Sequence, residues 1–128
     1  MPLDENQLGS QDRNRLEHML EAASDLVNFT NSKTREDLDT DALLRRGVLH
    51  CTIVIGEASA RVSPEARSLL PTLPWGQIVA TRHILVHVYW GVDLDIIWQV
   101  ARLRAPEIVE VISDLLRRYP KASFPDFD

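Results

Sequence analysis

The chain has 128 residues, 45% hydrophobic and 26% charged, which suits one domain that buries a core without disulfides or structural metals. Its net charge of −5 excludes a generally basic nucleic-acid binder, so any contact with nucleic acid must use a local basic patch against an unfavourable overall field. The apolar runs are too short for a membrane span and the polar, acidic "MPLDENQLGSQDR" is no signal peptide, so a cytoplasmic protein with no membrane partner is expected.

Residues 1–10 form a flexible N-terminus, and the helical domain is expected over 11–119. From Gln11, apolar residues recur at spacings of three and four through Leu16, Met19, Ala23 and Leu26, the stripe of a packed helix. "TNSKT" interrupts it, and Thr34 with Asp37 three residues on has the form of a capping box. A long helix follows over about Asp41–Arg61, apolar almost all round in its second half and therefore central. Within it, the lone Cys51 is read as a buried, inert thiol. Gly56 costs about 1 kcal/mol of helix propensity and is read as permitting close approach of a neighbouring helix. Ser63 and Pro64 have N-cap and first-turn character in "SPEARSLLP". "PTLPW" is a stiff connector, and Pro74 opens a helix running through Trp75, Ile78 and Val79 into "ATRHILVHVYWGVD", with Gly91 as its terminator and Asp93 as the next cap. "LDIIWQVARLR" is expected to stop before Pro106, a last helix covers about Pro106–Tyr119, and 120–128 is a tail. "VHVYW" taken alone has strand character, but the surrounding stripe is helical and no partner strand is evident. The expected fold is all-α, an antiparallel helical bundle of about five main helices.

The stretch 80–93 gathers Arg82, His83, His87 and Tyr89 in an otherwise apolar run. His83 and His87 are four apart and share a helix face. Zinc needs at least three protein ligands, and the remaining histidines, His18 and His50, lie on other helices with surface or packing roles, so no metal site is expected. On an ideal helix Arg82 and Tyr89 lie about 20° apart and His87 about 140° from Arg82. These three converge only through long reaches, a distorted turn, or a second copy across a two-fold axis; a structural network on a core helix is the bland alternative. The residue types suit metal-free RNA cleavage. A histidine with a pKa near neutrality can deprotonate the ribose 2′-hydroxyl, and an arginine fork can stabilise charge on phosphate oxygens. DNA lacks that hydroxyl and is no substrate for this chemistry.

"RHILVHVY" has the pattern R-x4-H-x-Y, and "VIGEAS" (54–59), "SPEARSLLPTLPW" (63–75) and "VDLDIIW" (92–98) flank it in order. Over about residues 11–118 the chain resembles the HepT toxins of the HEPN-domain ribonuclease superfamily. That resemblance implies a HEPN-type bundle that forms a homodimer, with the motifs of both chains lining an interfacial cleft. It implies a metal-independent endoribonuclease, the toxin of a type VII HEPN/MNT toxin–antitoxin pair acting on RNA and needing no cofactor of its own. The implied partner is an MntA-type nucleotidyltransferase antitoxin, which uses ATP and Mg to transfer AMP to the motif tyrosine. Carried onto this chain, Arg82 and His87 form the catalytic pair and Tyr89 is the regulatory AMPylation acceptor. His83 stands where such toxins usually carry asparagine; it and Glu57 of "IGEA" are auxiliary candidates. The alternative is a non-catalytic HEPN module that binds a nucleotidyltransferase partner or a nucleotide.

Overall fold

The computed structural model describes residues 8–83 and 93–120, and every element among them is helical. In chain order these are α1 (Ser10–Thr30), α2 (Asp37–Thr40), α3 (Ala42–Ala60), α4 (Pro64–Arg67), α5 (Trp75–Ala80) with a 3₁₀ turn (Thr81–His83), α6 (Leu94–Gln99), a π-helical turn (Val100–Arg104) and α7 (Ala105–Arg118). The all-α expectation holds over these residues, and the expected roles of His87, Tyr89 and Gly91 lie outside them.

The core follows from the apolar stripes. Leu16, Met19, Ala23 and Leu26 of α1 are fully buried between Val48 and Ile55 of α3 on one side and Ile108, Ile112 and Leu115 of α7 on the other. Each large aliphatic so placed contributes roughly 1.5–3 kcal/mol by leaving water. Thr30, Thr52, Ser59 and Thr81 are also buried, and each hydroxyl donates to a carbonyl of its own helix, those of Leu26, Val48, Gly56 and Ile78 respectively. Buried polar groups are thus matched locally, as desolvation demands.

Of the expected helix starts, Thr34 differs: Asp37 accepts from its backbone N–H at 2.7 Å, but α2 begins only at Asp37, with Glu36 as N-cap and no side-chain cap bond. Asp41, at the expected start of the long helix, caps α3 by accepting from the Leu44 backbone N–H at 3.1 Å. Ser63 accepts from Ala66 N–H while its own hydroxyl donates to Asp12 Oδ2 at 2.6 Å, which ties the start of α4 to the first turn of α1. Trp75 donates from its indole to the Leu70 carbonyl, and Arg67 lies 5.4 Å from the Trp75 ring centre, so the connector into α5 is pinned at both ends.

Two further expectations change. The helix begun at Pro74 does not stay α-helical into the Arg82 stretch, because after Ala80 it tightens to a 3₁₀ turn. Thr81 favours this, its hydroxyl bonding back to the carbonyl three residues earlier at 2.6 Å. The helix over "LDIIWQVARLR" also does not stop before Pro106. It widens over Val100–Arg104, where Ala105 N–H reaches back five residues to the Val100 carbonyl, and then continues as α7. Proline lacks an N–H and its ring crowds the carbonyl four residues earlier; a π turn relieves that conflict without breaking the helix.

Cys51 is buried on α3. Desolvation, with Asp25 and Glu21 adding, pushes its thiol from 9.0 up to about 11. The unfolded chain therefore loses this proton first as pH rises, so the contribution is fully present below about pH 9 and is lost towards pH 11. Near neutral pH the native chain then holds about a hundredfold less thiolate than the unfolded one. At pH 8 a thiol-specific disulfide reagent is expected to label native protein at least about a hundredfold more slowly than protein in guanidinium; equal rates would show that Cys51 is accessible.

Candidate active site around Arg82

The arginine of the R-x4-H-x-Y pattern sits in the middle of the 3₁₀ turn, and α3 determines its place. A Cβ on Gly56 would lie 2.5 Å from Thr81 Oγ1 and 2.8 Å from the Arg82 backbone nitrogen. Only hydrogen lets this turn seat so closely on α3. Residue 57 then lies beside the turn, and Glu57 Oε1 accepts from Arg82 Nε at 3.2 Å. Both side chains remain about half exposed, at 48% for Arg82 and 41% for Glu57. In water such a pair adds little stability, roughly 0–1 kcal/mol. Its consequence is orientation: the contact occupies Nε and leaves the two terminal nitrogens for an anion.

His83 follows on another side of the turn, where it lines a groove of about 420 Å³ with Gln77, Gln99, Leu103 and Arg104. Arg82 and Glu57 are thus brought together, and His83 is placed next to them but not between them. Beyond Glu57 a second groove, of about 350 Å³, runs between α1 and α3 and carries Arg15, His18 and Arg61. Its two arginines make it a locally basic patch on an acidic chain. His18 and His50 are exposed on α1 and α3, in keeping with surface roles. Among the described residues no group of three or more His, Cys, Asp or Glu side chains converges as a metal would need.

The pattern of residues 19–115 matches the family described as Ribonuclease HepT-like. The chain belongs to this family. Among its relatives, "Putative RNase MJ1380" of Methanocaldococcus jannaschii is 31% identical over 97 residues, covering 73% of this chain and 89% of that protein. "Putative RNase TTE0752" of Caldanaerobacter subterraneus is 30% identical over 103 residues, 80% of this chain and 92% of the other. "Probable ribonuclease HepT" of Thermococcus cleftensis is 30% identical over 93 residues, 73% and 84% respectively. No solved structure matches. Among the described residues of this HepT-like chain no helix is long and apolar enough to cross a membrane.

Sequence reasoning anticipated the glycine's role and the glutamate beside it, but not Gln77, Gln99 or the arginines of the α1–α3 groove. Single polar residues on exposed helix faces have no motif, and only the packing of separate elements gathers them into these two grooves.

Replacing Gly56 by alanine is expected to cost about 1–3 kcal/mol, because the added methyl meets backbone that has nowhere to go. Gly76→Ala is the control: a Cβ there meets nothing within 4 Å, and the change should be neutral or stabilising by up to about 1 kcal/mol. Urea denaturation of both variants measures the difference, and equal stabilities would remove the close contact as a constraint.

Proposed function

We propose that this chain is a metal-independent endoribonuclease and the toxin of a type VII HEPN/MNT toxin–antitoxin pair. What carries the reading is Arg82, a half-exposed guanidinium held at Nε by Glu57 within the R-x4-H-x-Y pattern of a HepT-like chain. Its free edges suit the charge that develops on a phosphorane. His87 serves as the proton-transfer group for the ribose 2′-hydroxyl, so the nucleophile comes from RNA itself and neither metal nor cofactor enters the reaction. Glu57 is a positioning residue acting through Arg82. The chain works as a homodimer in which a second motif completes the cleft, which answers the divergence of Arg82 and His87 on an ideal helix. An MntA-type nucleotidyltransferase, with ATP and Mg, silences it by transferring AMP to Tyr89. A bulky, anionic group there repels the RNA phosphate and obstructs the cleft.

Purified wild-type protein is expected to cleave single-stranded RNA equally well with and without EDTA. Arg82→Ala and His87→Ala should each lower cleavage by at least about a hundredfold, with unchanged thermal melts. Glu57→Gln should lower kcat by on the order of ten-fold with little change in melting temperature, as misorientation of Arg82 predicts. A wild-type protein that leaves every RNA intact yet binds the nucleotidyltransferase would instead favour the non-catalytic module. Tyr89→Phe should remain toxic in cells that also express the antitoxin; rescue of growth would remove Tyr89 as the acceptor.

A further inference from the structure

The groove beside His83 has features that phosphate binding alone does not use. Its walls are apolar, from Ile96 and Val100 on one helix to Ile78 at the end of α5, and its rim is polar, with Gln77, Gln99, His83 and Arg104. Its volume of about 420 Å³ falls within the range of small-ligand clefts, roughly 300–1,000 Å³. The π turn Val100–Arg104 forms one wall, and such turns recur at functional sites because they move side chains out of α-helical register. Leu103, within that turn, is 70% exposed, a large apolar side chain left beside the rim.

One rim residue is held in a defined orientation. Arg104 donates to Glu107 Oε2 at 2.9 Å with one terminal nitrogen and to Gln77 Oε1 at 2.9 Å with the other. The Gln77 carboxamide is thereby fixed with its oxygen committed to Arg104 and its NH₂ as the remaining donor. Gln99 supplies a second carboxamide, four residues before Leu103 and on the same helix face. Apolar walls, an imidazole for stacking and two amides for edge contacts are what a splayed-out RNA base requires. A carboxylate or bare phosphate would make no use of the apolar walls.

We infer that this groove is a base-recognition subsite that selects the nucleotide flanking the cut. Stacking on His83 and Leu103 holds the ring, and the Gln77 NH₂ group donates to an acceptor on its edge while Gln99 reads a neighbouring position. The inference rests on the ribonuclease reading, since Arg82 would hold the adjacent phosphate one residue away. His83 supplies the flat ring: an imidazole stacks on a base better than an amide or an aliphatic side chain does.

The test is sequencing of the cut sites left by the purified full-length protein on a random single-stranded RNA pool. Wild type is expected to prefer one base at a position flanking the cut by roughly ten-fold, the discrimination that paired edge contacts provide. Gln77→Ala and Gln99→Ala should each reduce that preference to less than about threefold. Gln99→Glu, which replaces a mixed donor and acceptor by acceptors alone, should move it towards the amino-bearing bases guanine, adenine and cytosine and away from uracil. Both glutamines are exposed, so the variants are expected to fold, and circular dichroism melts check this. Cleavage with no flanking preference, or a preference that survives both alanine variants, overturns the subsite and leaves the ribonuclease reading intact. Failure of wild type to cut or bind any RNA overturns both. A Leu103→Glu variant that changes oligomeric state but not cut-site preference would assign the groove to a protein interface instead, and that too overturns the inference.

Discussion

The close contact of Gly56 with the Thr81 hydroxyl and the Arg82 backbone nitrogen is the constraint on which the site depends. Two helical segments approach more closely there than any residue with a Cβ would allow. Everything near Arg82 follows from that approach. Thr81 turns its hydroxyl back to Ile78 and closes a 3₁₀ turn, Arg82 lies alongside α3, and the next residue of α3 is the glutamate that holds its Nε. The glycine costs helix propensity in the apolar second half of α3, about 1 kcal/mol, and the core of α1, α3 and α7 offsets that readily through the burial of its aliphatic side chains. A stable core thus carries a locally unfavourable residue whose benefit is positional.

The second helical irregularity has a similar logic. Pro106 would normally end a helix, yet α6, the π turn and α7 run on without a break. Retaining the helix keeps Ala101, Ala105 and Ile108 on one buried line against the core, while the widened turn displaces Leu103 and Arg104 towards the groove beside His83. Arg104 then has partners on two elements, Glu107 one turn later and Gln77 of α5. A side chain bonded across two helices couples the position of the motif turn to α7.

The architecture was legible in the sequence to the extent that it was periodic. The stripes of α1 and α3 and the caps at Ser63 and Asp93 follow from local physics, and those two helices start where the caps place them, whereas the start expected at Thr34 moves to Asp37, with Glu36 ahead of it. What local reasoning got wrong was the behaviour of a threonine and a proline. Thr81 looks like any β-branched helical residue, and its back-bond decides between α and 3₁₀ geometry only once α3 is packed against it. Pro106 reads as a stop because the alternative, a widened turn, depends on burial on both sides of the proline. Of the site residues, Gly56 and Glu57 were visible beside the motif, whereas Gln77, Gln99, Arg15 and Arg61 were not, since nothing in their spacing distinguishes them from a solvated helix face.

The acidic composition, which at first argues against an RNA-binding protein, is weaker as an objection once distances are considered. Free charges more than about 8 Å apart are largely screened at physiological ionic strength. The net charge of −5 therefore says little about the potential at one cleft, and the side chains within a Debye length of it decide. Glu57 pairs with Arg82 on the motif turn and shares the adjoining groove with Arg15 and Arg61, while Glu21 and Asp25 line the next groove beyond His18. Three arginines against one carboxylate make that groove more cationic than the molecule as a whole. On the ribonuclease function proposed above, such an arrangement would hold a phosphate where Arg82 can reach it, while the rest of the surface repels long polyanions. Short or single-stranded RNA engaging only the cleft suffers least from that repulsion, so the charge distribution itself favours selective over general binding.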